Sequence, residues 1–138
     1  MAKTIKTTTV SKSDYSNYLK KSAEFHETMQ ECLSKEKWNA AGLNAIHTGI
    51  SAADALLVFF HGMRSTSPKH DDIIKLLTSS IAHQEMKPNS YHLRNLVSMK
   101  NVIEYEVRLI NRQEALLLSK HATRFLEWVK SLLPLSDY

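Results

Sequence analysis

Residues 40–60 read AAGLNAIHTGISAADALLVFF and contain only two ionisable side chains, His47 and Asp54. The segment is long enough to cross a bilayer, but these two residues, with Asn44 and Ser51, make it too polar for hydrocarbon. It is typical of a helix that neighbouring helices bury on most sides, as at the centre of a bundle. We therefore predict a core helix here and no transmembrane segment.

The polar residues of this helix are not scattered. At about 100° per residue, five of them project within roughly 100° of one another: Asn44, His47, Ser51, Asp54 and His61. Because removing polar groups from water without partners is costly, such a stripe must face water, a ligand or other polar groups. It predicts the location of a functional site without indicating which function.

The composition is that of one soluble domain. The chain has 138 residues, 43% hydrophobic and 23% charged, which fits a single folded unit over residues 11–138 after a flexible N-terminal arm, residues 1–10. A single cysteine, Cys32, excludes an internal disulfide framework and fits a cytoplasmic protein. The arm has no apolar core, so it is not a secretory signal. The net charge of +4 permits binding to nucleic acid without requiring it.

Apolar residues recur at three- and four-residue steps and predict five helices. We expect them over residues 13–34 and 36–63, then from Ser67 or Pro68 to a boundary at 87–90, then 90–109 and 111–133. Ser67 as N-cap with Pro68 at the first helical position predicts the third start. Short connections favour antiparallel neighbours. The predicted fold is therefore all-α, an up-and-down antiparallel bundle of four main helices plus a fifth.

The predicted fourth helix contains a second polar interruption. Lys100 lies on the apolar line of Leu96, Ile103 and Val107, and Glu104, one turn later, is positioned to pair with it. A lysine whose methylenes cover the core while its ammonium reaches solvent explains this pattern without any function. The alternative is that Lys100 faces a polar groove.

In that alternative, Lys100, Asn101 and Tyr105 lie across a groove from Asp54 and His61, where they would bind phosphate and position hydroxyl groups. The full set of candidate binding residues is Asp54, His47, Ser51, His61, Glu104 and Arg108.

Two segments resemble the HEPN (higher eukaryote and prokaryote nucleotide-binding) family. Residues 45–57, AIHTGISAADALL, are similar to its signature helix, and Gly62, Lys69 and His70 fit as well. Residues 100–105, KNVIEY, occupy the place of its Arg-(Asn/Asp/His)-x-x-x-His motif. The resemblance covers about residues 13–133.

This resemblance implies a five-helix bundle that commonly forms homodimers. Active members are metal-independent RNases, frequently toxins of toxin–antitoxin or defence systems, and a minimal nucleotidyltransferase is a common partner. The motifs of two protomers form one composite cleft. No cofactor and no metal ion is implied.

The motif departs from the family pattern at two positions. Lys100 replaces arginine and Tyr105 replaces histidine, so only Asn101 of these candidate catalytic residues matches. Lysine lacks the planar fork of arginine, and tyrosine, with a pKa of about 10, is a poor proton donor and acceptor at neutral pH. Arg64 and His70 have a similar spacing, but Ser67 and Pro68 separate them, so they should not share a helical face.

Three hypotheses remain. The first is a HEPN-like protein with weak or absent cleavage that binds RNA, nucleotide or a nucleotidyltransferase through the groove. The second is an active metal-independent RNase toxin in which Lys100 and Tyr105 replace the usual residues. The third is a non-catalytic helical adaptor. The seven histidines and one cysteine have no zinc-ligand spacing.

Overall fold

The computed structural model describes residues 4–134 and confirms the predicted all-α bundle. A two-stranded sheet and one 3₁₀ turn, Lys12–Asp14, accompany the helices. The elements in chain order are β1 (Thr7–Thr9), α1 (Tyr15–Ser34), α2 (Trp38–His61), β2 (Met63–Ser65), α3 (Asp71–Ser80), α4 (Met86–Ser98), α5 (Lys100–Tyr105) and α6 (Arg112–Leu132).

Helix α2 forms the centre of the bundle, as its composition predicts. It packs on α1 and α6, and α4 packs on α6, so that these four long helices enclose the core. The close approach of α2 to its neighbours depends on two glycines. A Cβ at Gly49 would lie 2.6 Å from Leu96 Cδ1, and one at Gly42 would lie 2.7 Å from Ile110 Cδ1.

Among the described helices, α2 alone is long and apolar enough to cross a membrane, and 61% of its most apolar 18-residue stretch is buried inside the protein. This burial is compatible with a core helix of a soluble protein.

Part of the predicted flexible N-terminal arm forms a short strand. Residues 7–9 form β1, which pairs antiparallel with β2, with Thr8 opposite Arg64. Residues 1–3 of the predicted arm and 135–138 of the predicted domain lie outside the described part of the chain. The strand holds the segment that follows α2 against the bundle.

The predicted start of the third helix at Ser67 and Pro68 is wrong. Helix α3 begins at Asp71, because the Ser67 hydroxyl forms hydrogen bonds in the turn before the helix and does not cap a helix that starts at Pro68. It accepts a hydrogen bond from the Lys69 amide at 3.2 Å and donates one to Asp72 Oδ2 at 2.6 Å. The helix also ends earlier than predicted, at Ser80.

Pro88 does not mark a helix boundary either. It is the third residue of α4, where the amide of the first turn would have no helical acceptor, so proline is tolerated. The break between α3 and α4 lies earlier, at residues 81–85. A further break at Met99 divides the predicted fourth helix into α4 and α5.

The chain leaves the helix after Tyr105, so the predicted helix to residue 109 is also wrong. Ile110 is buried in the core, and its amide donates to Asn39 Oδ1 at 2.9 Å. This contact draws residues 106–110 into an irregular path, and Val107, predicted to be apolar core, is fully exposed. Helix α6 then begins as predicted, with a capping box formed by Asn111 and Glu114.

Candidate functional site

A cleft of about 450 Å³ opens between α1, α2, the chain after β2 and the start of α5. We call it the central cleft. Its lining residues are Tyr18, Lys21, Phe25, His47, Ile50, Ser51, Asp54, Arg64, Ser65, Ser67, Lys69, His70, Ile73 and Lys100.

The polar stripe of α2 provides one wall of the central cleft. His47, Ser51 and Asp54 line it at three- and four-residue steps. Two members of the predicted stripe lie outside it. Asn44 Nδ2 donates to the carbonyl of Ala40 at 2.9 Å, and His61 Nε2 lies 2.6 Å from the Ser80 carbonyl. The stripe therefore marks the site only over its middle two turns.

Asp54 is a buried carboxylate at the cleft wall, with 3% of its surface exposed. Arg64 Nη2 donates to its Oδ2 at 3.4 Å, a long contact. Burial raises the pKa of Asp54 to about 6, against the opposing charges of Arg64 and Lys21. Its titration midpoint therefore lies about two units above that of an exposed aspartate, and the carboxyl is mostly ionised at pH 7.

Lys100 enters the central cleft from α5 and is also buried. Its Nζ donates to Glu104 Oε2 at 2.7 Å, which confirms the predicted pair. Glu104 Oε1 in turn lies 3.8 Å from His47 Nε2. The hydrogen bond from Lys100 lowers the pKa of Glu104, whereas burial is the main cause of the lowered pKa of His47.

Lys100 and Asp54 thus line one cleft, as the groove hypothesis requires. The other two motif residues do not join them. Asn101 and Tyr105 line a neighbouring groove of about 730 Å³, which shares Lys69 and His70 with the central cleft. Tyr105 is 75% exposed. The three predicted catalytic residues are therefore divided between the central cleft and the neighbouring groove.

Arg108, a predicted binding residue, lies outside the central cleft. Its guanidinium forms two hydrogen bonds with Glu114, at 3.0 and 2.9 Å, next to the capping box of α6. These bonds raise the pKa of Arg108. In this position it holds the chain before α6.

Several lining residues were not predicted from the sequence. They come from α1 (Tyr18, Lys21 and Phe25) and from the chain after α2 (Arg64, Ser65, Ser67 and Lys69). Arg64 and His70, which we expected Ser67 and Pro68 to keep off a shared helical face, do lie on a strand and a turn, yet both line the cleft. Pairing of β1 with β2 positions Arg64, and three threonines give little signal of such a pairing.

Within residues 4–134, no three His, Cys, Asp or Glu side chains are placed to hold a metal ion. Cys32 lies partly buried in α1, packed against apolar residues.

No family model, curated protein or solved structure matches this chain.

Proposed function

We propose that this chain is a HEPN-like cytoplasmic protein whose central cleft binds the phosphate group of a nucleotide or of RNA. One observation carries the proposal: four cations from four separate segments converge on one cleft. They are Lys21, Arg64, Lys69 and Lys100. Cations gathered in a concave, partly dry site attract anions more strongly than the same charges spread over a surface.

The charge distribution favours a compact ligand over a long nucleic-acid chain. Four cations in the central cleft face Asp54, with Glu104 next to Lys100 at the edge. The neighbouring grooves are balanced instead. A groove along the start of α1 has Lys20 and Lys21, the latter shared with the central cleft, against Asp14 and Glu24. The groove lined by Asn101 and Tyr105 has Lys75 and the shared Lys69 against Asp71 and Asp72. A continuous phosphate backbone would need positive charge along its whole path.

The size and lining of the cleft agree with a nucleotide. A volume of about 450 Å³ lies in the ordinary range for small-ligand sites. Tyr18 and Phe25 provide aromatic faces at its edge. Arg64 lies 5.5 Å above the Tyr18 ring, and the Phe25 and His47 rings are 5.4 Å apart. We expect a heterocyclic base to stack on the ring surface of Tyr18 or Phe25 that these neighbours leave free.

The division of the motif supports binding with weak or absent cleavage. Lys100 reaches the cleft, but Tyr105, in the place of the family histidine, is exposed on the neighbouring groove. General acid–base help contributes about 10² to 10⁴ in rate, so its loss removes most cleavage by that route.

Metal-independent RNA cleavage is the second candidate, and one observation favours it. His47 and His70 line the same cleft as Lys100, together with Asp54, whose pKa is raised to about 6. Imidazole and a carboxyl group of raised pKa beside a phosphate site are suited to proton transfer. An active RNase would therefore depend on His47 and His70 in place of Tyr105, the residue predicted from the sequence, with Lys100 contributing charge.

Protein partners are also part of the proposal. We propose a homodimer and a nucleotidyltransferase partner in a toxin–antitoxin or defence setting, as the HEPN resemblance implies. Exposed apolar residues between α5 and the first turns of α6 support a protein contact: Tyr105, Val107, Leu109, Leu116 and Leu117. The same surface would serve a non-catalytic adaptor. Light scattering at micromolar concentration tests the dimer, and a monomer would count against it.

Calorimetric titration with pyrophosphate, adenosine 5′-monophosphate and an unphosphorylated ten-nucleotide RNA tests the binding proposal. We expect the two small phosphates to bind, and Lys100→Met and Arg64→Gln to weaken them about ten-fold or more. Lys87→Met, which removes an exposed cation away from the cleft, is the matched control. If neither small phosphate binds, or if the control weakens binding equally, the phosphate site is rejected.

The same preparations distinguish the other candidates. Cleavage of labelled RNA in the presence of EDTA that is lost in His47→Gln or His70→Gln, but kept in Tyr105→Phe, would establish the RNase. An adaptor predicts that none of these variants changes RNA or nucleotide binding.

A further inference from the structure

A buried carboxylate is out of place in a site that serves only to bind phosphate. Asp54 lines the central cleft among four cations, and 3% of its surface is exposed. A phosphate dianion placed on those cations would be repelled by an ionised Asp54. The position therefore calls for a second role for this side chain.

Asp54 and Arg64 do not form a closed structural ion pair. Their single direct contact, Arg64 Nη2 to Asp54 Oδ2, is 3.4 Å long. Buried ion pairs offset the cost of desolvation only with short, multiple hydrogen bonds. Moreover, Arg64 Nε is buried without a hydrogen-bond partner among the described residues. Because Arg64 contacts Oδ2 and, among the described residues, no other group donates to the carboxylate, Asp54 keeps capacity to accept a further hydrogen bond.

We propose that Asp54 accepts a hydrogen bond from a hydroxyl group of the ligand, so that the central cleft selects ribonucleotides over their deoxy analogues. The inference rests on the proposed function, because the phosphate must lie on Lys21, Arg64 and Lys100 for a sugar hydroxyl to face Asp54. A carboxylate only accepts hydrogen bonds, so it needs a donor on the ligand. A sugar hydroxyl is such a donor, whereas the ionised phosphate group of the same ligand is not.

The size of the discrimination follows from the burial of Asp54. A hydrogen bond to a charged group is stronger than one between neutral groups, and a ligand without the hydroxyl leaves the carboxylate desolvated with no donor. We expect a ribonucleotide to bind about 10- to 100-fold more tightly than the analogue that lacks the contacting hydroxyl. Ser51, one turn before Asp54 on the same wall, has no formal charge and does not supply such discrimination.

The test is calorimetric titration of the full chain at pH 8 with five probes. These are pyrophosphate, adenosine and cytidine 5′-monophosphates, and the 2′-deoxy and 3′-deoxy forms of adenosine 5′-monophosphate. We expect one of the two deoxy analogues to bind at least ten-fold more weakly than adenosine 5′-monophosphate. The wild-type measurement needs no variant, so it does not depend on whether a substituted chain folds.

Asp54→Leu separates the acceptor role from a structural one, because leucine has nearly the shape of aspartate but no hydrogen-bond acceptor. In this variant, checked for folding by circular dichroism, we expect ribo and deoxy ligands to bind equally and pyrophosphate to bind at least as tightly as to wild type. Equal binding of ribo and deoxy ligands by wild type would overturn the hydroxyl contact, while pyrophosphate binding would leave the phosphate site intact. Absence of pyrophosphate binding would instead reject the phosphate site, and this inference with it. Retained selectivity in Asp54→Leu would also overturn the role of Asp54.

Discussion

Arg64 Nη2 lies 3.4 Å from Asp54 Oδ2, across the gap between α2 and the short strand that follows it. Asp54 was predicted from the sequence as a site residue, and Arg64 was not. Asp54 belongs to the polar stripe of the core helix, whereas Arg64 reaches the cleft only because β1 holds β2 in place. Both the charge of the cleft and its shape depend on this junction.

Removing the charge of Asp54 should stabilise the fold at neutral and higher pH. Its pKa rises from 3.8 to about 6 on folding, so the stability linked to its protonated form is complete below 3.8 and is lost as pH rises through 6. Asp54→Asn should therefore raise the free energy of unfolding at pH 8, by about 3 kcal/mol at most. The gain should shrink as pH falls from 6 toward 4.

Urea unfolding of both proteins across this pH range measures the effect. Glu27→Gln, on the exposed face of α1, is the control and should leave the pH profile unchanged. A variant less stable than wild type at pH 8 would show that the Asp54 charge is compensated better than its surroundings indicate.

The pKa of His47 should respond in opposite directions to its two neighbours. Burial lowers this pKa, Glu104 raises it and Lys100 lowers it. Glu104→Gln should therefore lower the pKa of His47 further, and Lys100→Met should raise it, because a cation is removed. NMR titration of the His47 ring protons measures both shifts. Shifts of the same sign in the two variants would mean that Lys100 and Glu104 act on His47 only through a change in structure.

The sequence predicted what depends on local periodicity. The central helix, its polar stripe and the pairing of Lys100 with Glu104 all follow from three- and four-residue spacings. The start of α6 was also predicted, and the structure shows its local cause, since Asn111 and Glu114 satisfy each other's backbone amides.

What depends on distant contacts was not predictable. The helix ends early at Tyr105 because Ile110 is buried and its amide bonds to Asn39, a residue far away in the chain. Likewise, Arg64 faces the cleft through pairing with Thr8, in strands of only three residues. Neither partner has a pattern that single-sequence periodicity detects.

Strand β1 should be required for phosphate binding more than for folding. The Val10 amide donates to the Gly62 carbonyl and the Thr66 amide donates to the Lys6 carbonyl. Since hydrogen-bonded pairs alternate along antiparallel strands, Thr8 is the bonded partner of Arg64 and the Thr9 amide points away. Thr8→Pro should release Arg64 and weaken pyrophosphate binding several-fold, while the helical content stays unchanged.

Thr9→Pro is the matched control, because proline there removes an amide that bonds no neighbouring strand. Titration and circular dichroism of both variants check the result. Equal loss of affinity in the two variants would mean that proline disturbs the segment generally, and unchanged affinity in Thr8→Pro would remove β1 from the site.

The imidazoles of His92 and His121 join α4 to α6, and acid should weaken this junction. Their Nδ1 atoms are 2.9 Å apart, so one ring donates and the other accepts, and protonation of both leaves no acceptor. Burial is the main cause of the lowered pKa of each, and the cations Arg124 and Lys120 on α6 add to it.

For a histidine with a lowered pKa, the stability linked to its neutral form is present above about 6.5 and is lost as pH falls through the lowered value. Protonation of the pair should therefore lower the thermal midpoint between pH 7 and pH 5, whereas protonation of Asp54 acts in the opposite direction over the same range. The midpoint of wild type should thus exceed that of His121→Gln at pH 7, and this difference should shrink toward pH 5. His61→Gln is the control, because His61 lies on the surface outside the pair and bonds only the Ser80 carbonyl. A difference between wild type and His121→Gln that stays constant over this range, or an equal shrinking difference for His61→Gln, would show that other groups set the acid response.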